Sequence, residues 1–76
     1  PLFDGCFDVL DRRIVGEKHL RLTLRTGNSK PIGAIAFHAA ETPSNWARIR
    51  AAYRLDVNEY QGNRSLQLVL EHLESA

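Results

Sequence analysis

Apolar and polar residues alternate along residues 53–70, YRLDVNEYQGNRSLQLVL. Tyr53, Leu55 and Val57 alternate with Arg54, Asp56 and Asn58. Further on, Leu66, Leu68 and Leu70 alternate with Gln67, Val69 and Glu71. A period of two puts one set on a buried face and the other on an outer face, which predicts two strands. Between them Gln61, Gly62, Asn63 and Arg64 tolerate a positive φ, so the strands are expected to form a hairpin. A slip of one residue would turn every Leu of the second arm outward, which fixes the register.

The rest of the chain reads as strands that complete this sheet. Residues 19–25, HLRLTLR, place Leu20, Leu22 and Leu24 inside and His19, Arg21, Thr23 and Arg25 outside. Residues 7–15, FDVLDRRIV, form an imperfect strand: Phe7 and Val9 share a parity that Ile14 breaks, and a bulge near residues 10–12 repairs it. Gly16, Glu17 and Lys18 make the turn between these two strands. Residues 32–38, IGAIAFH, are the third strand, with Gly33, Ile35 and Phe37 on one face and Ala34, Ala36 and His38 on the outer one. Residues 39–45 are the longest irregular piece, and residues 43–47 are expected to hold one short helix. Ile49, Ala51, Tyr53, Leu55 and Val57 alternate without a break, so the fourth strand begins near Arg48. The fifth ends near Leu73.

Five short strands in 76 residues are too few for a two-layer sandwich. Closing them into a barrel hides the strand edges and fills the centre with Leu, Ile, Val, Phe and Tyr. The long connection between strands three and four favours the five-stranded OB barrel over an SH3-like one. The expected class is therefore all-β, an OB barrel with at most one short helix between strands three and four. Trp46 is expected as a lid over one barrel end. Residues 1–5 are read as a linker from an absent upstream domain, and residues 6–76 as the OB domain.

Composition narrows the picture only a little. With 43% hydrophobic and 25% charged residues the chain is globular. A net charge of +1 does not announce a nucleic-acid partner, so any basic surface must arise by segregation of charge. The single Cys6 rules out an internal disulfide and fits a reducing compartment. No apolar run approaches the ~18 residues of a membrane helix, and the start lacks a signal-peptide pattern. The chain opens on Pro1 without a Met and is expected to be a piece of something longer.

PLFDG, VGEKHLRL, AIAF and AYRLDVNEYQGNRSLQL, in this order and spacing, resemble the C-terminal OB domain of the RecJ family of single-strand-specific 5′→3′ DNA exonucleases. VGEKHLRL and YRLDVNEYQGNRSLQL carry most of the resemblance, and residues 38–47 depart most from it. The resemblance implies a parent enzyme of the DHH phosphoesterase class, which cuts phosphodiesters with two divalent metals, manganese or magnesium, in upstream domains. It implies that this segment is non-catalytic, binds single-stranded DNA, acts in recombination and repair, and resides in the bacterial cytoplasm without a membrane partner. No DHH triplet is present, and His19, His38 and His72 are scattered. No cofactor or metal ligand set is therefore expected in this segment.

OB domains commonly bind strands across the outer face of strands two and three. On that face the candidate phosphate contacts are His19, Arg21 and Arg25, with Lys18 in the preceding turn. At the hairpin tip, Arg64 and Tyr60 are candidates, Tyr60 as a ring on which a base would stack. The plainer alternative is a solvated strand face with snorkelling cations and a Tyr60 packed over its turn. No aromatic residue is expected on the outer face of strands two or three, which predicts electrostatic, sequence-blind binding. Arg48, Arg50 and Arg54 form a second outer row, read first as solvated, and Arg12 and Arg13 are read as surface ion-pair partners of Asp8 and Asp11. The competing function is a protein-interaction module that docks the catalytic core or the acidic tail of a single-strand-binding protein.

Overall fold

Five alternating runs become five strands: β1 (Phe3–Val15), β2 (His19–Arg25), β3 (Ile32–Ala36), β4 (Arg48–Tyr60) and β5 (Asn63–Ser75). The computed structural model describes residues 2–76, with the backbone alone at positions 58 and 60. The strands close into a barrel in the order β1-β2-β3-β5-β4, with β4 pairing back to β1. β3 and β5 run parallel and the other pairs antiparallel. This is the OB arrangement. Among the described residues there is no helix, and residues 37–47 are turns and irregular chain. The expected helical turn at residues 43–47 does not form. Instead Thr42 N–H donates to the Ala39 carbonyl, and the Arg12 guanidinium donates to the Pro43 carbonyl.

β1 starts at Phe3, four residues earlier than its pattern predicts. Phe3, Asp4 and Gly5 pair with Tyr53, Ala52 and Ala51 of β4. The Phe3 and Tyr53 rings stack at 5.7 Å, and Phe7 meets Tyr53 edge-on at 5.5 Å. Aromatic pairing thus extends the β1–β4 ladder where alternation alone gives no signal. The predicted bulge is present: the register of β1 against β2 shifts between Val9 and Asp11. Gln61 and Gly62 both have positive φ, 53° and 82°, as a type I′ hairpin turn requires.

The core explains the one strand whose faces are inverted relative to expectation. Leu20, Leu22 and Leu24 are buried, and Leu20 and Leu22 face Ala36 and Ala34 across the ladder. A narrow barrel has no room for two facing rows of large side chains, so the small residues turn inward against the leucines. Ala34 and Ala36, expected outside, are at most 2% exposed. Ile35 and Phe37 take the outer face instead. Burying each core Leu contributes about 1.5–3 kcal/mol. Trp46 lies half-buried against the core and, with Val9, Pro43 and Leu73, closes one barrel end.

The β4–β5 hairpin outruns the barrel. β1 pairs with β4 only as far as Tyr53, and β3 with β5 only from Gln67 onward. Leu55, Val57 and Leu66, expected inside, are therefore about half exposed. Val69, expected outside, is buried although it lies on the outer face, between Ile35 and Arg54 in the neighbouring strands.

Candidate nucleic-acid interface

The pairings assemble one row across the outer surface. Arg13 of β1 stands opposite Arg21 of β2, Arg21 opposite Ile35 of β3, Ile35 beside Val69 of β5, and Val69 opposite Arg54 of β4. The row thus carries two adjacent arginines, then two apolar residues. Like charges directly opposite on a ladder repel, so nothing in the barrel's own stability accounts for the Arg13–Arg21 pair. Both arginines line an open concavity of about 430 Å³ with Asp11, Val15 and Thr23. Among the described residues the Arg21 side chain makes no ion pair or hydrogen bond. Arg13 has only Asp11 at 3.8 Å, with both side chains mostly exposed, a contact worth ~0–1 kcal/mol.

A second row lies one step toward the β1–β2 turn. Val15 stands opposite His19, and His19 meets the Phe37 ring edge-on at 5.2 Å. His19 Nδ1 accepts the backbone N–H of His38 at 3.1 Å, so its neutral form carries the proton on Nε2. His38 has a positive φ of 57°, which ends β3 and turns the chain away just after Phe37. Phe37 is left 53% exposed. The expectation that no aromatic residue stands on this face is therefore overturned.

The structure brings Arg21 and His19 together, adds Arg13, and separates the other candidates. Lys18 sits in the turn beside Glu17, Glu41 and His38, around a separate shallow depression. Arg25 is at the far end of β2, half-buried and opposite Asp8, with its Nε buried and without a hydrogen-bond partner among the described residues. Arg64 at the hairpin tip donates its Nε–H to Glu59 at 2.7 Å, which cancels much of its charge locally. Because β3 and β5 are parallel, that tip lies at the Ile32 end of the face and Lys18 at the Ala36 end. The Tyr60 side chain lies outside the described residues.

The β4 arginines form no comparable surface. Arg48 bonds Asp8 at 3.3 Å, Arg50 bonds Asp4 at 3.0 Å, and Arg54 bonds Glu71 at 2.7 Å. The Arg50 guanidinium, hydrogen-bonded to Asp4, holds that carboxyl below the usual carboxylate range. These residues were expected to be solvated; they remain exposed but are paired across strands. Among the described residues no three His, Cys, Asp or Glu side chains gather as a metal site.

Sequence reasoning missed Arg13 and Phe37. For Arg13 the signal was the ladder register: a bulge at Leu10 shifts the parity so that Arg13, and not Arg12, shares a face with Arg21. For Phe37 it was the volume of the three leucines on β2, which already demanded small residues opposite.

The RecJ OB domain family matches residues 1–72 of the chain. The chain is 43% identical over 77 residues to the single-stranded-DNA-specific exonuclease RecJ of Escherichia coli (strain K12), covering 96% of this chain and 13% of that protein. The protein of the same name from Salmonella typhimurium (strain LT2) is also 43% identical, with the same coverage. The one from Haemophilus influenzae is 38% identical over 80 residues, covering 97% of this chain and 14% of its own. The chain thus spans about one-eighth of the length of the curated relatives it matches.

Proposed function

The chain belongs to the RecJ OB domain family, and from that premise we propose that it is a non-catalytic module that holds single-stranded DNA for a 5′→3′ exonuclease. The observation that carries this reading is the Arg13–Arg21 couple on the outer face of β1 and β2, in which Arg13 has only the long, exposed contact to Asp11 and Arg21 has no ion-pair partner among the described residues. Two cations set side by side, with few internal partners, are poised for a pair of phosphates. Placing phosphates there releases counterions from the strand, giving weak affinity that falls as salt rises. Lys18 and Arg25, at the two ends of β2, lie apart from this couple and are secondary to it. Manganese- or magnesium-dependent cleavage would belong to other parts of the longer RecJ chain, toward which this domain guides its strand. The setting in this reading is recombination and repair in the bacterial cytoplasm.

The test is to titrate the isotopically labelled chain with an oligothymidylate at low salt and follow amide chemical shifts. Changes should concentrate at Arg13, Arg21, Thr23 and Ile35. Shifts confined to β4, or no shifts at all, would remove the reading.

A separate surface supports the protein-interaction reading. Leu55, Val57 and Leu66 share one face of the projecting hairpin and are 48–57% exposed. Contiguous exposed apolar side chains mark contact surfaces. In this second reading the hairpin packs on another part of the longer RecJ chain. Amide exchange at the hairpin should then be slower in a full-length RecJ than in the 76-residue chain; equal rates would contradict it.

A further inference from the structure

We infer that Phe37 is a base-stacking platform, so that the domain engages the bases of its strand and not its phosphates alone. The inference rests on the single-stranded-DNA reading above and deepens it. Phe37 is 53% exposed although it is a large aromatic residue at the end of a core strand. Its ring is buttressed from one side by His19, edge-on at 5.2 Å and 80°. His19 is itself fixed, by the bond from the His38 amide to Nδ1 and by the edge contact of the His38 ring at 5.1 Å. A ring held in this way loses little conformational freedom when a planar partner lands on it. Ile35 lies two residues back on the same face and, partly exposed, continues the apolar surface beside the ring.

The occupant follows from what flanks the ring. Arg21 is the cross-strand neighbour of Ile35, and Arg13 lies beyond it. Within neighbouring positions of the sheet the surface therefore passes from an exposed aromatic to the Arg21 cation. A peptide with acidic side chains would satisfy the arginines, but the ring would gain nothing specific from it. A nucleotide brings a π-face and a phosphate together, at about the spacing of neighbouring side chains on a sheet. Every base has such a face, so the platform adds affinity without choosing a sequence. His19 acts here as the positioning residue of Phe37 and not as a phosphate contact.

The experiment compares a labelled oligothymidylate with an abasic strand of equal length and charge, by anisotropy at low salt, using the 76-residue chain. The parent should prefer the strand with bases. Phe37→Ala should lose roughly 5- to 100-fold on that strand, little on the abasic one, and keep the salt slope of the parent. His19→Ala should reduce the preference in part, again without changing the slope. As a second readout, Phe37→Trp in a Trp46→Phe background should show fluorescence quenched by the oligothymidylate and not by the abasic strand. Equal binding of both strands by the parent, an unchanged preference in Phe37→Ala, or an unquenched Trp at this position would each overturn the platform. In all three cases salt-sensitive binding through Arg13 and Arg21 would survive. Absence of binding to either strand would bring down both.

Discussion

Arginines stand on both sides of this barrel, and what faces them differs. On β4, Arg48, Arg50 and Arg54 each reach a carboxylate on an adjacent strand, at 3.3, 3.0 and 2.7 Å. On β2, Arg21 faces another arginine. The first arrangement closes on itself and presents little net charge. The second leaves two positive charges facing the solvent beside an exposed ring. A chain with a net charge of +1 therefore segregates its charge: the β4 arginines are matched by carboxylates, while the β1–β2 face keeps two adjacent arginines with only Asp11 near them. Counting arginines would have ranked the two faces the other way.

The comparison can be attacked at four points. Arg21→Glu should have the largest effect, because it reverses the charge at the centre of the row. Oligothymidylate affinity at low salt should drop about 10- to 100-fold, while the melting temperature should not fall, since the side chain is exposed and the change turns a repulsive cross-strand pair into an attractive one. Arg13→Ala should cost about 3- to 10-fold and lower the salt slope by about 0.7, the value for one phosphate on a single strand.

Arg50→Ala should change affinity by less than about 2-fold, as expected for a cation engaged with its own carboxylate. Its signature lies in pH. The Asp4 carboxyl is held low by Arg50, so their contact adds stability above the ordinary carboxylate pKa and loses it as pH falls through the lowered one. Thermal melts of parent and Arg50→Ala should converge in acid and separate slightly near neutrality. Finally, Glu59→Gln frees Arg64 at the hairpin tip and should raise affinity by up to about 2-fold; an unchanged affinity would show that this tip is not near the strand.

Much of the fold was legible because alternation is a direct record of burial. The bounds of β2, the bulge in β1 and the positive-φ turn at Gln61 and Gly62 all follow from residue order. The inversion of β3 was not legible strand by strand. Ala34 and Ala36 look suited to a surface until the three leucines opposite are given volume, and only the β2–β3 register puts them together. Leu55, Val57 and Leu66 failed for another reason: alternation states which side a residue takes, not whether the sheet beneath it still continues. At the site, Arg21 was readable as an outward cation. Its partner Arg13 depended on how a bulge shifts parity, and the pairing of Arg64 with Glu59 on side-chain reach that no pattern encodes.

The most direct measurement is the salt dependence of oligothymidylate binding for two double variants beside the parent. Arg13→Ala with Arg21→Ala should flatten the slope of log affinity against log salt by about 1.4, while Arg48→Ala with Arg50→Ala should leave it near the parent's. Equal slopes in both variants, or a larger change in the β4 pair, would contradict the assignment of the strand to the Arg13–Arg21 couple.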